Sequence, residues 1–538
     1  MPAKSFDYVI VGAGSAGCTL ARRLTEDAGT RVLLLEAGGW DRDPWIKIPI
    51  GWGRILEKRL HDWMYFTEPE PQLNGRRIEC ARGKVIGGSS SINAMAYVRG
   101  NKGDYERWAR AGCTGWSYED VLPYFRRQES WEGGAGDFRG GDGPLTVGTS
   151  IFADPVIEAC LASGAALQMP HTPDYNGAQQ EGLGRMQQTI RQGRRCSAAE
   201  AYLRPALGRA NLTVETGVLA NRVVLENGRA VGVEYGSGGD VRIARAEREV
   251  LLCGGVINSP QLLMLSGIGD PDRLAAHGIT VAAPSPGVGK NLQDHVSVLA
   301  DFARRGAGPF VATLRLDRVI TALVRAYCFG TGPAAETPSG WTGFVKSRPD
   351  VELPDIQFLF RAVATRAAPY LPPLSPAYAD GFSLRAVMLR PESRGEILLA
   401  SADPRAPVRI KQNFLSTEND RRTIRDGLKL VRRMAQTAPL ADFVAQELAP
   451  GAAVQSDDEL DAYIRATAAT AHHPLGTCKM GPDSDPMAVV DPELRVRGVT
   501  GLRVVDASVM PDMVGGNINA PVIMIAEKAA EMIGGRKF

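Results

Sequence analysis

The chain begins with two kinds of segment in alternation. Asp7 to Val11 (DYVIV) is a short apolar run that ends in glycines, the pattern of a strand buried on both faces of a parallel sheet. From Ser15 to Glu26, small and apolar residues return every four positions at Ala16, Leu20 and Leu24, with Arg22 and Arg23 on the outer side. That spacing predicts a helix packed along one stripe. Arg31 to Leu35 (RVLLL) predicts a second buried strand ending at Glu36, and the three segments make one β-α-β unit.

The pattern then changes. Between Asn211 and Cys253, the segments NLTVET, RVVLE, AVGVEY and EVLLC predict strands, with Asn227-Gly228 placed as a tight hairpin turn. An antiparallel insertion in the doubly wound sheet is expected. From about 300 to 465, a helix near Arg318 to Phe329, strands DIQFLF, SLRAVML and GEILLA, and a helix near Asp420 to Ala435 predict a separate α+β lobe with a mainly antiparallel sheet flanked by helices. The end returns to the first style, with a strand GLRVVDA and an amphipathic helix from Pro521 to about Ile533. Glu132 to Gly148 is too glycine-rich for a regular element, and Ala367 to Asp380 is proline-rich; both are expected to be loops.

Composition narrows the class. The 538 residues, 44% hydrophobic and 23% charged, suit a globular protein of several domains merged into two lobes. Net charge is only +2, and the basic pairs Arg22-Arg23, Arg76-Arg77, Arg194-Arg195, Arg421-Arg422 and Arg432-Arg433 are scattered, as solvated faces are and a nucleic-acid stripe is not. No apolar stretch reaches the ~20 residues of a membrane span, and the opening residues lack the regions of a signal peptide. A cytoplasmic protein is expected, with peripheral membrane contact left open. The eight cysteines show no Cys-x-x-Cys pair and no metal-type partnering with histidine, so buried free thiols and no metal are expected.

Gly12-x-Gly14-x-x-Gly17 follows a predicted strand and opens a predicted helix, the setting in which such glycines let a pyrophosphate approach the positive helix end. Glu36, about 20 residues on at the end of the second strand, is placed to accept hydrogen bonds from ribose hydroxyls. Glycines and acid together indicate a dinucleotide without separating FAD from NAD. A second segment, Arg82-Gly83-Lys84-Val85-Ile86-Gly87-Gly88-Ser89-Ser90-Ser91-Ile92-Asn93, has the small residues of a loop in close contact with a ligand.

These segments resemble the glucose-methanol-choline (GMC) oxidoreductases, FAD enzymes that mostly oxidise alcohols. The likeness continues through Tyr97, Gly100 and Glu106, through the second signature from Gly255 to Gly269, where Val256 replaces an expected small residue, through Asn291-Leu292-Gln293-Asp294-His295, and through the C-terminal segment. Bacterial choline, sorbose and alcohol dehydrogenases are nearest in look, with pyridoxine oxidases further off. The resemblance implies FAD as cofactor, held by Gly12, Gly14, Ser15, Ala16, Gly17, Glu36 and Ala37, by Arg82, Gly83, Val85, Gly87, Gly88, Ser90, Asn93, Ala94, Met95 and Ala96, and by Val218, Asp506, Ala507, Asn517 and Asn519. It implies an FAD domain in three pieces (1–150, 196–300, 470–538) and a substrate domain in two (151–195, 301–469).

Among six histidines, His472 and His473 stand together before Pro474, which biases His473 to an extended conformation. Neighbours on an extended chain point to opposite sides, so one imidazole is expected to face the site. In the family the base directly precedes this proline, which assigns it to His473 and places Asn517 beside it as the group that holds the substrate oxygen. His295 is expected to order its loop by hydrogen bonds. His61, His171 and His277 have no supporting context. Asn519 is expected near the N-cap of the last helix.

The implied reaction is oxidation of an alcohol to an aldehyde or ketone, a hydride passing to flavin N5 while His473 takes the hydroxyl proton. The electron acceptor is quinone-like or oxygen, with a dehydrogenase preferred over an oxidase acting on a pyridoxine-like or aryl alcohol. A flavin-containing lyase or decarboxylase is the rival of another class, opposed by the presence of His473. NAD(P) chemistry would leave Arg82 to Asn93 unexplained, a serine hydrolase would need a Gly-x-Ser-x-Gly elbow, and a pure binding module would not need His473 with Asn517. Choline-specific relatives supply a carboxylate for the ammonium, and comparison with them puts Gly340 at that place; with Glu336 able to compensate, choline is disfavoured without being excluded, and sugar, aliphatic, aromatic and pyridine-type alcohols stay open. A monomer or homodimer is expected.

Overall fold

A computed structural model describes residues 5–535. The first sheet has the strand order Leu212–Thr216, Val32–Glu36, Ser5–Val11, Asp240–Leu252, Arg229–Ser237, Leu219–Glu226, with Leu502–Val504 also on Asp240–Leu252. The long strand Asp240–Leu252 serves two purposes. Its beginning runs antiparallel to Arg229–Ser237, while its end runs parallel to Ser5–Val11 and to Leu502–Val504. Asn227 and Gly228, both at positive φ (51° and 75°), close the expected hairpin. NLTVET is not part of that insertion: Leu212–Thr216 is a parallel edge strand beside Val32–Glu36. Its alternation fits either orientation, and only the partner decides.

Helix Ser15–Leu24 crosses this sheet against the last helix, Asn519–Gly534. That last helix is not amphipathic, because every residue from Ala520 to Ala530 is buried. Its one buried acid, Glu527, receives Arg23 through two bonds of 2.9 Å, Arg127 at 2.9 Å and Tyr202 at 2.8 Å. Arg23 is therefore an interior residue and not the outer one its spacing suggests. One member of each of two other basic pairs also turns inward: Arg195 donates to Ile46 O at 2.8 Å and Arg432 pairs with Glu447 at 2.8 Å. A guanidinium is stable inside when carbonyls or a carboxylate saturate its donors.

The second sheet is antiparallel throughout, in the order Val444–Ala449, Val296–Arg304, Gly381–Met388, Ile356–Arg361, Trp341–Val345, Gly182–Arg185, with Ala469–Thr470 also on Val296–Arg304. One face, carrying Phe302, Ile356, Phe358, Phe382 and Leu384, packs under helix Glu418–Ala435 through Ile424, Leu428 and Val431. The other face looks back toward the first sheet. GEILLA stands apart from it, Glu396–Leu398 pairing with Arg409–Lys411 in a two-stranded ribbon. In the glycine-rich stretch, Leu145–Thr149 forms a strand after all, between Glu129–Trp131 and Gln187–Gln188. The cysteines are free, and all but the exposed Cys328 are buried.

Candidate active site

Between the two sheets lies one large cavity of about 830 Å³. Its first end is made largely of backbone. Gly12, Gly14, Ser15 and Ala16 line it where strand Ser5–Val11 turns into helix Ser15–Leu24. No side chain caps that helix, so its first amides are free for an anion. Gly17 lies behind the wall, where a Cβ would stand 1.9 Å from Gly12 O; its role is to let helix and strand touch. Glu36 lines the cavity and is held by Ala13 N at 2.9 Å and Gly38 N at 2.8 Å, while burial raises its carboxyl to about 7. Ala37 and Val218 complete this end.

The second predicted segment crosses the first. Gly88 is pressed so close that a Cβ would meet Gly14 Cα at 2.7 Å. Arg82, Gly83, Gly88, Asn93, Ala94, Met95 and Ala96 line the cavity. Val85, Gly87 and Ser90 do not: Val85 packs on Ile46 and Ile55, Gly87 N donates to Ala13 O at 2.7 Å, and Ser90 Oγ donates to Gly87 O at 2.6 Å. These three shape the loop from behind. Asp506 and Ala507 also line the cavity. The Asp506 carboxylate already accepts from Gly255 N at 2.8 Å, Ser259 Oγ at 2.6 Å and Ser508 N at 2.8 Å, which knits the family's second signature to the C-terminal strand. Asn519 is the first residue of the last helix, and its Oδ1 accepts from Ser15 Oγ at 2.7 Å. Uncapped amides, a buried carboxylate at the cavity wall and a glycine crossing that excludes side chains fit an adenine dinucleotide.

The other end is built from side chains. His473 Nε2 lies 3.0 Å from Asn517 Nδ2, and His473 Nδ1 lies 3.0 Å from His295 Nδ1. His295 Nε2 reaches Leu389 O at 3.2 Å, and Gln357 Nε2 donates to Asn517 Oδ1 at 3.2 Å. One assignment satisfies the whole row. Gln357 fixes the Asn517 amide, whose N–H donates to an unprotonated His473 Nε2; His473 Nδ1–H donates to His295 Nδ1, and His295 Nε2–H to the Leu389 carbonyl. His295, expected to order a loop, does so by standing directly behind His473, with the rings edge to face at 88°. Asp294 holds the backbone, accepting from His473 N at 2.8 Å and from Thr470 Oγ1.

Burial holds His473, His295 and the adjoining His472 neutral. The His473 pKa is pushed well below the usual histidine value by burial and then by the neighbouring His295, Arg82 and His472. His295 falls to about 4 and His472 to about 3, burial being the main cause in both. His472 and His473 both line the cavity, contrary to the expected alternation. The reason is local: His472 has φ +63°, so the pair is not extended and the two-sided rule does not apply. His472 O accepts from Arg82 at 2.7 Å, and its Nδ1 is buried without a partner. Neither Glu336 nor Gly340 lines the cavity. Gly340, at φ +63°, faces Ile157, and Glu336 bonds Ser150 at 3.4 Å.

Fold and site together define an FAD-dependent alcohol oxidoreductase. The chain belongs to the GMC oxidoreductase family, whose amino-terminal profile matches residues 6–297 and carboxy-terminal profile residues 391–526. It is 48% identical to the mitochondrial choline dehydrogenase of Homo sapiens over 99% of this chain and 90% of that protein. It is 43% identical to the oxygen-dependent choline dehydrogenase of Photobacterium profundum, over 99% and 93%. Among solved structures, pyridoxine 4-oxidase from Mesorbium loti superposes with a TM-score of 0.88 at 33% identity, covering 99% of this chain and all of that one. Among the described residues, no helix is long and apolar enough to cross a membrane.

Proposed function

We propose that this chain oxidises its alcohol with His473 as the base and Asn517 as the holder of the substrate oxygen. The supporting observation is the row of donors that leaves His473 Nε2 unprotonated and facing the cavity. The alcohol replaces the His473 to Asn517 contact: its O–H donates to Nε2, and its oxygen accepts from Asn517 Nδ2. Bound FAD supplies the two-electron acceptor for the hydride leaving the alcohol carbon. As the proton arrives on Nε2, His473 keeps donating from Nδ1 to His295, whose own N–H stays on Leu389 O. The new positive charge thus enters a site whose acceptors are already oriented. Developing negative charge on the oxygen meets the Asn517 amide.

The cofactor is held, in this reading, by the Gly12 to Ala16 turn, by Glu36, and by the loop from Arg82 to Ala96. Reoxidation by a quinone-like acceptor is proposed over oxygen, after the human relative named simply a dehydrogenase; the Photobacterium relative is named oxygen-dependent, and the rate of flavin recovery in air separates the two. The compartment is proposed to be the cytoplasm, where the free thiols persist. The test is anaerobic mixing of the flavin-loaded protein with a panel of alcohols, followed by admission of air. Bleaching of the flavin with slow recovery in air is the expected result. No bleaching by any alcohol, or equal bleaching of the yellow His473→Ala protein, would overturn the assignment.

A further inference from the structure

The alcohol end of the cavity is bounded by the inward face of the second sheet, and that face carries two arginines. Register sets Arg385 opposite Leu359, and Ser383 opposite Arg361. Strand alternation then puts Arg361 and Arg385 on the face that also carries Gln357, the residue that holds Asn517. Arg361, Ser383 and Arg385 all line the cavity. Arg385 donates to Ser297 Oγ at 2.9 Å, and Ser297 Oγ donates on to Ala469 O at 3.0 Å, within the segment that leads to His472. Arg385 is close enough for its charge to help hold the His472 pKa down.

Neither guanidinium is ion-paired, and the carboxylate of Asp301 acts on Arg361 only from a distance. Arg361 donates to Thr365 Oγ1 at 3.0 Å, its Nε is buried without a partner, and neither arginine is ion-paired with any described carboxylate. Asp301, on the adjoining strand opposite Ser383, shares Thr365 with Arg361 and offsets part of its charge, but forms no ion pair with either arginine. Burial and the mutual repulsion of the two arginines lower Arg385 to about 10. Of the carboxylates that do line the cavity, Glu36 and Asp506 are saturated by backbone at the nucleotide end. Glu57 pairs with Lys58 at 2.8 Å and Glu79 faces Arg59 at 3.9 Å. Two desolvated cations facing a cavity are costly until an anion joins them, and a quaternary ammonium would meet like charge there.

We propose that the alcohol oxidised by this enzyme carries an oxyanion, such as a carboxylate, which pairs with Arg385 and Arg361. The proposal rests on the alcohol-oxidising reading of the same site. The flavin-loaded full chain is assayed anaerobically with ω-hydroxycarboxylates of increasing length, each against the matching n-alkanol, with a hydroxyalkyl sulfonate to separate carboxylate from other oxyanions, and with choline against its neutral tert-butyl analogue. The anionic member is expected to exceed its neutral partner in kcat/KM by about tenfold or more, and choline to fall below its analogue. Arg385→Gln should reduce the anionic-to-neutral ratio by about 10- to 100-fold, and Arg385→Glu should reverse the order of choline and its analogue. Because ratios are compared within one protein, a general loss of folding or flavin does not mimic the effect. Choline outrunning its analogue in the unaltered enzyme, or an anionic-to-neutral ratio near one, overturns the charge assignment alone. Silence of the flavin toward every alcohol overturns the alcohol-oxidising reading, and this proposal with it.

Discussion

The two ends of the cavity work by opposite means. At the nucleotide end, recognition belongs to backbone: glycines pressed against one another, amides of an uncapped helix, and one acid held by two N–H groups. At the alcohol end it belongs to side chains from four distant segments, with His295, Gln357, His473 and Asn517 joined in one row. A backbone site tolerates almost no added atom. A side-chain site tolerates substitution sterically but loses its chemistry. The two ends should therefore fail differently when damaged.

The largest effect is expected from His473→Ala. It should leave the protein yellow and slow flavin reduction by alcohol by about 10²- to 10⁴-fold in anaerobic stopped flow. In the unaltered enzyme, activity needs neutral His473, whose pKa burial depresses. Activity should be complete above the ordinary histidine value near 6.5 and fall only as pH drops through the depressed value. A profile of kcat/KM that falls off already above 6.5 would contradict the buried, neutral base.

Gly17→Val tests the other end. Its Cβ would meet Gly12 O at 1.9 Å, so it should cost about 1–3 kcal/mol in thermal or denaturant unfolding and strip the flavin during purification. Retained flavin with unchanged stability would show that the contact between helix and strand at Gly17 is looser than described.

His295→Ala removes the acceptor of His473 Nδ1–H. It should lower kcat by about tenfold, more than it raises KM, with partial recovery in His295→Asn, whose Oδ1 also accepts. Equal loss in both variants would point to packing alone. The smallest change is expected from Gln357→Leu, which frees the Asn517 amide to rotate. It should cost about 0.5–1.5 kcal/mol of transition-state stabilisation in kcat/KM and leave flavin content untouched.

The nucleotide end was legible in the chain because it is local. A strand, a glycine turn, a helix and an acid follow one another within residues 5–36, and each element's periodicity is set by neighbours in sequence. The Arg82 to Ala96 loop was legible by its small residues and its family likeness. The roles proposed for His473 and Asn517 come from resemblance alone, since nothing local distinguishes an imidazole before a proline from a structural one. The arrangement around them was not legible. His295 carries no signal of its contact with a ring 178 positions away, and the expectation that His472 and His473 face opposite ways failed on one positive φ.

By itself, then, the sequence determined the β-α-β nucleotide site, the family, the two styles of sheet and the candidate for the base, because these depend on contiguous patterns or on motifs shared with relatives. Only the tertiary structure decided that Leu212–Thr216 runs parallel, that Arg23 and Arg195 turn inward, that His295 backs His473, and that Arg361 and Arg385 line the cavity unpaired. Strand partners and side-chain neighbours are chosen by burial and by saturation of charge across long separations, which a local pattern does not record.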